Sequence, residues 1–184
     1  MARFLLLVAS AFIVNTATAG LIPESSNPCQ LGGLQVTYRD ERYPCGETVS
    51  LDVFSNGKPP GDVTLDADVT EDNKYYTLVM VDPDAPASRG QAYWLHWLVI
   101  NIKGDNFASG YHGSGSGKMD YAPPSPPRGP AHRYQFFVFE QPREFGNSEI
   151  TAPDRRGSFD LGAFQSEYNL DGPVAGYQIL TQNV

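Results

Sequence analysis

The sequence predicts a mainly β protein, an antiparallel β-sandwich with a few short helices. Runs in which apolar and polar residues alternate recur along the chain, as expected of strands that bury one face. The 184 residues include 15 prolines and 18 glycines, which suit the tight turns between such strands. A chain of this length fits a single domain, which we place at residues 20–184.

The first strands are predicted where the alternation is clearest. Apolar residues occupy every second position in 34–38 and 49–53, and another such run begins at Val63. Three later segments, 75–81, 94–102 and 133–140, are denser in β-branched and aromatic residues. We interpret these three as central strands that are buried on both faces for part of their length.

The connecting and C-terminal segments complete the prediction. Residues 104–117 are rich in glycine and serine, which favours a mobile surface loop. Ser158 is the predicted cap of a helix at residues 159–168. Pro173 is predicted to open a last strand, at residues 174–180.

The first 19 residues predict a secretory signal peptide. Arg3 precedes an apolar run at residues 4–14, and small residues at 17 and 19 suit cleavage just after Ala19. The run is shorter than the roughly 20 residues that a membrane-spanning helix needs. We therefore expect a secreted protein that begins near Gly20 and has no transmembrane segment.

Charge and cysteine content fit that interpretation. The net charge of −8 disfavours nucleic acid as a partner, because such binding depends on clustered Lys and Arg. In an oxidising compartment, Cys29 and Cys45 are expected to form a disulfide. The chain-entropy estimate for a loop of this size is about 3 kcal/mol of stabilisation.

Four residues capable of recognition flank the central strands or lie within them. Asp82 lies in an Asp-Pro-Asp-Ala-Pro turn, His96 lies within an aromatic strand, and His132 and Tyr134 begin another strand. Taken singly, they fit a turn, a core histidine and an edge residue. If the strands pair in one sheet, the four converge into a donor-rich site for phosphate or carboxylate. His112, in the glycine-rich segment, is expected to be solvated.

Catalytic and metal sites are less well supported by the motifs. Two histidines and one aspartate could in principle bind zinc, but their spacing is not that of a local zinc motif. The Gly-Ser-Gly-Ser-Gly run at residues 113–117 has glycine where a nucleophile elbow has serine, and it does not match a phosphate-binding loop. We expect neither a metal nor a cofactor, and no enzymatic activity.

Four motifs together resemble the phosphatidylethanolamine-binding protein family over roughly residues 30–180. They are DPDAPASR at 82–89, WLHWLVINIKG at 94–104, PPRGPAHRYQFFVFEQ at 126–141 and PVAG at 173–176. The resemblance implies a sandwich of two antiparallel sheets with Greek-key-like connections, a few short helices and one anion-binding pocket.

The resemblance also implies the residues of that pocket. A neighbouring acid would orient the turn, an aromatic side chain would help to wall the pocket, and the Ala85–Pro86 peptide bond would be cis. The implied ligand-binding set is Asp82, Asp84, Trp94, His96, Pro127, His132 and Tyr134.

Two departures from the family pattern bear on this pocket. Residues 122–125 read Ala-Pro-Pro-Ser where family members often carry Gly-Ser-Gly, so fewer backbone N–H groups are expected there. The chain stops soon after the PVAG motif, without the C-terminal helix of some relatives. A more open pocket is therefore expected.

Two functions follow as hypotheses. The first is a secreted, non-enzymatic binding protein that recognises the headgroup of phosphatidylethanolamine, free phosphoethanolamine or a similar small anion. The alternative is an extracellular interaction protein, such as an inhibitor of serine-type peptidases or a modulator of signalling or defence, acting through exposed loops at 111–124. In both cases we expect a monomer, with no nucleic acid bound.

Overall fold

The computed structural model describes residues 27–86, 92–111, 113 and 115–184. The predicted signal peptide and His112 lie outside the described residues. Within them, no helix combines the length and the apolar character that crossing a bilayer requires.

The described chain forms two antiparallel sheets, which confirms the predicted fold class. The large sheet has the order β6-β5-β4-β7-β9, with β8 paired to β5, and the small sheet has the order β2-β1-β3. The strands are β1 (Leu34–Tyr38), β2 (Glu41–Arg42), β3 (Asp62–Leu65), β4 (Tyr75–Asp82), β5 (Ala92–Lys103), β6 (Ser116–Met119), β7 (His132–Gln141), β8 (Phe159–Asp160) and β9 (Asp171–Thr181). The helices are α1 (Gly104–Ala108) and α2 (Leu161–Glu167), with 3-10 helices at Pro28–Gln30 and Leu51–Phe54.

The large sheet is buried on both faces, as its dense central strands predicted. Leu78 and Met80 of β4 pack between the two sheets, whereas Val79 and Val81 point to a second core. That second core includes apolar side chains of α2, such as Phe164. With neighbours on both faces, β4 has no solvent-facing positions that would show as polar alternation.

The predicted strand at 49–53 is wrong. Leu51–Phe54 form a 3-10 helix, and the Ser50 side chain accepts a hydrogen bond from the Asp52 N–H at its start. Val49 contributes a backbone N–H to the Leu180 carbonyl instead of joining a regular strand. An alternating apolar pattern over so few residues does not separate these two structures.

The loop predicted at residues 104–117 is also a misassignment. The segment begins with α1 and ends within β6. A Cβ on Gly104 would lie 2.0 Å from the Glu71 carbonyl oxygen, and one on Gly115 would lie 2.6 Å from the Val99 side chain. Here glycine allows close packing of the backbone.

Two details of the C-terminal third differ from prediction. The cap of α2 is Asp160, whose carboxylate accepts the Ala163 N–H at 2.8 Å, so the helix starts later than a Ser158 cap would place it. The cis peptide bond that the described residues contain is Gly172–Pro173, in β9, whereas the family resemblance implied one at Ala85–Pro86.

The predicted disulfide between Cys29 and Cys45 is present, with Cα atoms 5.7 Å apart. It joins two segments that lie along the outer edge of β9. Gly46 donates its N–H to the Gln178 carbonyl at 2.7 Å. In the other segment, the Gly32 carbonyl accepts the N–H of a β9 residue.

Candidate functional site

A cavity of about 270 Å³ opens where the end of β4 meets the starts of β5 and β7. Since β4 runs antiparallel to both neighbours, its last residues lie beside their first ones. Asp82 is in register with Trp94 of β5, and Val81 is in register with Gln135 of β7. The cavity is lined by Asp82, Ala85, Pro86, Trp94, His96, Ser125, Pro127, His132 and Tyr134.

One side of the cavity is built on a hydrogen bond between a carboxylate and an imidazole. The Asp82 Oδ2 atom lies 2.8 Å from Nδ1 of His132, and both side chains are buried. The other carboxylate oxygen of Asp82 accepts the Asp84 N–H at 2.7 Å. Because a carboxylate accepts hydrogen bonds, Nδ1 of His132 carries the proton and Nε2 is the ring nitrogen left for a ligand.

The other side holds a second imidazole with a different partner. Nδ1 of His96 lies 2.8 Å from the Ala122 carbonyl oxygen, and the Ala122 N–H donates back to the His96 carbonyl. The carbonyl can only accept, so Nδ1 again carries the proton. Burial lowers the pKa of His96, against the opposing effects of the carbonyl and Asp82, so the ring is neutral near pH 7.

An arginine from a distant loop holds this second side together. The Arg156 guanidinium donates to the carbonyl oxygens of Leu95 at 3.1 Å, His96 at 2.9 Å and Asp120 at 2.8 Å. It thereby ties the start of β5 to the segment that supplies Ala122. Sequence reasoning missed Arg156, because its partners are backbone atoms that no side-chain motif reveals.

Asp84 lies outside the cavity lining, although the resemblance had included it in the ligand-binding set. Its carboxylate accepts hydrogen bonds from Arg133 through Nε at 2.9 Å, Nη2 at 2.8 Å and the backbone N–H at 2.9 Å. Partial burial acts to raise the pKa of Asp84, but the contacts with Arg133 outweigh it, and the net shift is downward. Asp84 thus fastens the turn to β7.

The remaining wall combines one hydroxyl with apolar surfaces. Burial, and next the charge of Asp82, raise the pKa of the Tyr134 phenol, so it remains a hydrogen-bond donor. The Tyr134 ring meets the His96 ring edge-on, with centroids 5.1 Å apart. Trp94 and Pro127 lie in the wall, and so do Ala85, Pro86 and Ser125, which the resemblance did not name.

Metal-binding capacity follows from the same geometry. Across the described ranges, no group of three or more His, Cys, Asp or Glu side chains is arranged to hold a metal ion. What the cavity can do chemically is accept and donate hydrogen bonds through two imidazoles and a phenol.

Comparison with known proteins bears on this arrangement. Residues 34–178 match the sequence model of the family described as phosphatidylethanolamine-binding protein. The chain belongs to this family. The matched range includes all nine residues that line the cavity and every strand of both sheets except the last three residues of β9.

Several solved structures share this fold. A carboxypeptidase Y inhibitor, solved in complex with its cognate proteinase, is 22% identical with a TM-score of 0.65, over 82% of this chain and 83% of the inhibitor. The phosphatidylethanolamine-binding protein of Plasmodium vivax is 18% identical with a TM-score of 0.59, over 82% and 85% of the two chains. E. coli YbcL is 20% identical with a TM-score of 0.54, over 83% of this chain and all (100%) of YbcL.

Proposed function

We propose that this protein is a secreted, non-enzymatic binding protein that holds a phosphorylated headgroup or a similar small anion. The candidate ligands are phosphoethanolamine and the headgroup of phosphatidylethanolamine. The proposal rests on the convergence of His96, His132 and Tyr134 on one small cavity. These are side chains that can donate to the oxygens of an anion, and their partners already fix their orientation.

The dimensions of the cavity favour a headgroup over an acyl chain. Its volume of about 270 Å³ falls just below the roughly 300–1,000 Å³ of pockets that hold drug-sized ligands. A phosphate group with a short substituent suits such a space. In this proposal Trp94 and Pro127 contact the substituent, while the polar side chains contact the phosphate.

The hydrogen-bond pattern supports binding rather than turnover. Ser125 is the one hydroxymethyl side chain among the described lining residues, and no hydrogen bond there joins its Oγ to an imidazole. Nucleophilic catalysis needs a base in contact with the attacking group. The raised pKa of Tyr134 likewise disfavours a phenolate nucleophile.

Secretion is the second part of the proposal. The pattern at residues 1–19 is that of a signal peptide, and the Cys29–Cys45 disulfide is typical of proteins that fold in an oxidising compartment. Expression with the full leader, followed by N-terminal sequencing of protein from the medium, tests this part. Retention in the cell with an intact leader would contradict it.

Titration calorimetry with phosphoethanolamine tests the proposed ligand. We expect His132→Ala to weaken binding by about 1.5–3 kcal/mol, the range for a hydrogen bond to a charged group. Lys103→Ala is the matched control, because Lys103 is an exposed cation at the opposite end of β5. Equal affinity of wild type and His132→Ala would remove the cavity as the binding site.

Inhibition of a peptidase is a second candidate, favoured by the structural likeness to the carboxypeptidase Y inhibitor. The exposed loop expected at 111–124 is more limited than its sequence indicated, since Tyr111 and Pro124 are buried and 116–119 form β6. A panel of serine-type peptidases, assayed with wild type and His132→Ala, tests this function. Inhibition that survives the substitution would favour a protein partner over a headgroup.

A further inference from the structure

We propose that an anion enters this cavity accompanied by a proton, so that binding is strongest in mildly acidic solution and weakens as the pH rises. The inference rests on the proposed function and specifies how that site is controlled. It follows from the hydrogen bonds that both imidazoles already make and from the charges around them.

Both rings use the same nitrogen, Nδ1, for their hydrogen bond within the protein. Nδ1 of His132 donates to Asp82, and Nδ1 of His96 donates to the Ala122 carbonyl. In a neutral imidazole one nitrogen carries the proton and the other carries a lone pair. Each neutral ring therefore presents a lone pair at Nε2, which repels an anionic oxygen until a proton lies between them.

Both Nε2 atoms are accessible from the cavity. The buried side-chain N and O atoms that lack a partner, among the described residues, are Asp62 Oδ1 and Thr181 Oγ1. Neither Nε2 is among them, both rings make their hydrogen bonds to Ala122 and Asp82 through Nδ1, and both rings line the cavity. A ligand in the cavity thus meets Nε2 of His96 and of His132.

Among the described residues that line the cavity, none carries a fixed positive charge, and the one carboxylate is that of Asp82. Arg133 follows His132 directly, but its guanidinium is paired with Asp84. From these described residues, an arriving anion meets no positive charge until an imidazole is protonated.

Among the described residues, few other charged or titratable groups face the two rings. Asp82 and Asp84 act on His132, and Arg156 joins Asp82 and His132 in acting on His96. On β9, the residue in register with His132 is uncharged. Tyr134 supplies an uncharged donor.

Linkage sets the sign of the effect. The charge of a bound anion favours the protonated form of a nearby imidazole, so binding takes up a proton. The affinity is then highest below the pH at which the free ring loses its proton. Above it, the affinity falls by about tenfold per pH unit for each proton taken up.

Calorimetry with two inorganic probes tests the proposal on the full mature chain. Phosphate and sulfate are titrated from about pH 5.5 to about pH 8.5, a span around the ordinary histidine pKa. Sulfate carries no proton in this range, so the proton taken up when sulfate binds must come from the buffer and be held by an imidazole, whereas phosphate can bring its own. Repeating each titration in two buffers of different ionisation enthalpy gives the number of protons taken up.

We expect sulfate to bind with uptake of about one proton and to lose about tenfold in affinity per pH unit at the alkaline end. Phosphate should show a shallower decline. Binding of either probe with no proton uptake and no change across the pH range would overturn the inference and leave the proposed function intact. Absence of binding at every pH would instead overturn the proposed function, and this inference with it.

Two variants locate the proton. Glutamine at position 132 supplies an amide N–H that does not titrate, so His132→Gln should bind sulfate with a flatter pH dependence than wild type. His96→Gln should keep the wild-type decline if His132 takes up the proton. Near-ultraviolet circular dichroism establishes that each variant is folded. An unchanged pH dependence in both folded variants would overturn the assignment to these rings.

Discussion

The two imidazoles of the cavity are buried alike but supported differently. His96 is 4% exposed and His132 is 7% exposed, yet the first donates to a neutral carbonyl and the second to a carboxylate. A carboxylate stabilises a protonated ring, whereas a carbonyl mainly fixes its orientation. In the proposed anion site, this difference favours His132 over His96 as the ring that holds the proton beside the anion.

The origin of the two partners explains the contrast. Asp82 ends the central strand β4, so the sheet itself delivers it to His132 at the start of β7. Ala122 belongs to an irregular segment that lies against β5 and is held there by Arg156. Strand register thus positions the partner of His132, whereas the long-range contacts of Arg156 position the partner of His96.

Among the three substitutions, Asp82→Ala should lower the free energy of unfolding most, because it removes the carboxylate that holds His132. The substitution leaves Nδ1 of His132 and the Asp84 N–H without their acceptor. We expect the free energy of unfolding to fall by about 3 kcal/mol, at the lower end for breaking a buried pair. Urea denaturation measures it. A loss below about 1 kcal/mol would mean that the pair is weakly coupled to the fold.

Arg156→Ala should cause the second-largest loss of stability, because it removes the contacts that hold the segment beside His96. Three carbonyl oxygens lose a charged donor, and we expect a loss of about 2 kcal/mol in unfolding free energy. Nitrogen chemical shifts should also report that His96, and not His132, changes its hydrogen bonding. Arg155→Ala is the matched control, since Arg155 is exposed. Equal losses in the two variants would show that the carbonyl contacts do not hold the segment.

Asp84→Asn should cause the smallest loss of stability, and this loss should depend on pH. The pKa of Asp84 is lowered by Arg133, so its stabilisation is present above the unfolded value of about 3.9 and disappears as the pH falls through the lower folded value. The pair is partly exposed, and we expect about 0.5 kcal/mol at neutral pH. The difference between the urea midpoints of the two proteins should shrink as the pH falls below about 3.9. A difference that does not shrink would indicate a cause other than the charge.

Much of the fold and of the site was predictable because it depends on the identity of side chains. The central strands carry apolar residues for two cores, and the motifs around Asp82, His96 and His132 identify one end of the sheet. Arg156 could not be found in this way, since its partners are carbonyl oxygens 36 to 61 residues earlier. The role of Gly104 was predicted wrongly, because glycine occurs both in flexible loops and where two segments of backbone pack closely. The sequence alone does not distinguish these two roles.

The disulfide has a consequence for the self-association of the protein. Strand β9 is 11 residues long and forms the rim of the large sheet, where unsatisfied N–H and C=O groups invite a neighbouring molecule to add a strand. The segments tethered by Cys29 and Cys45 occupy that rim. Thiol reduction would loosen this cover, so solubility in a reducing medium should depend on whether the tethered segments stay in place without their crosslink.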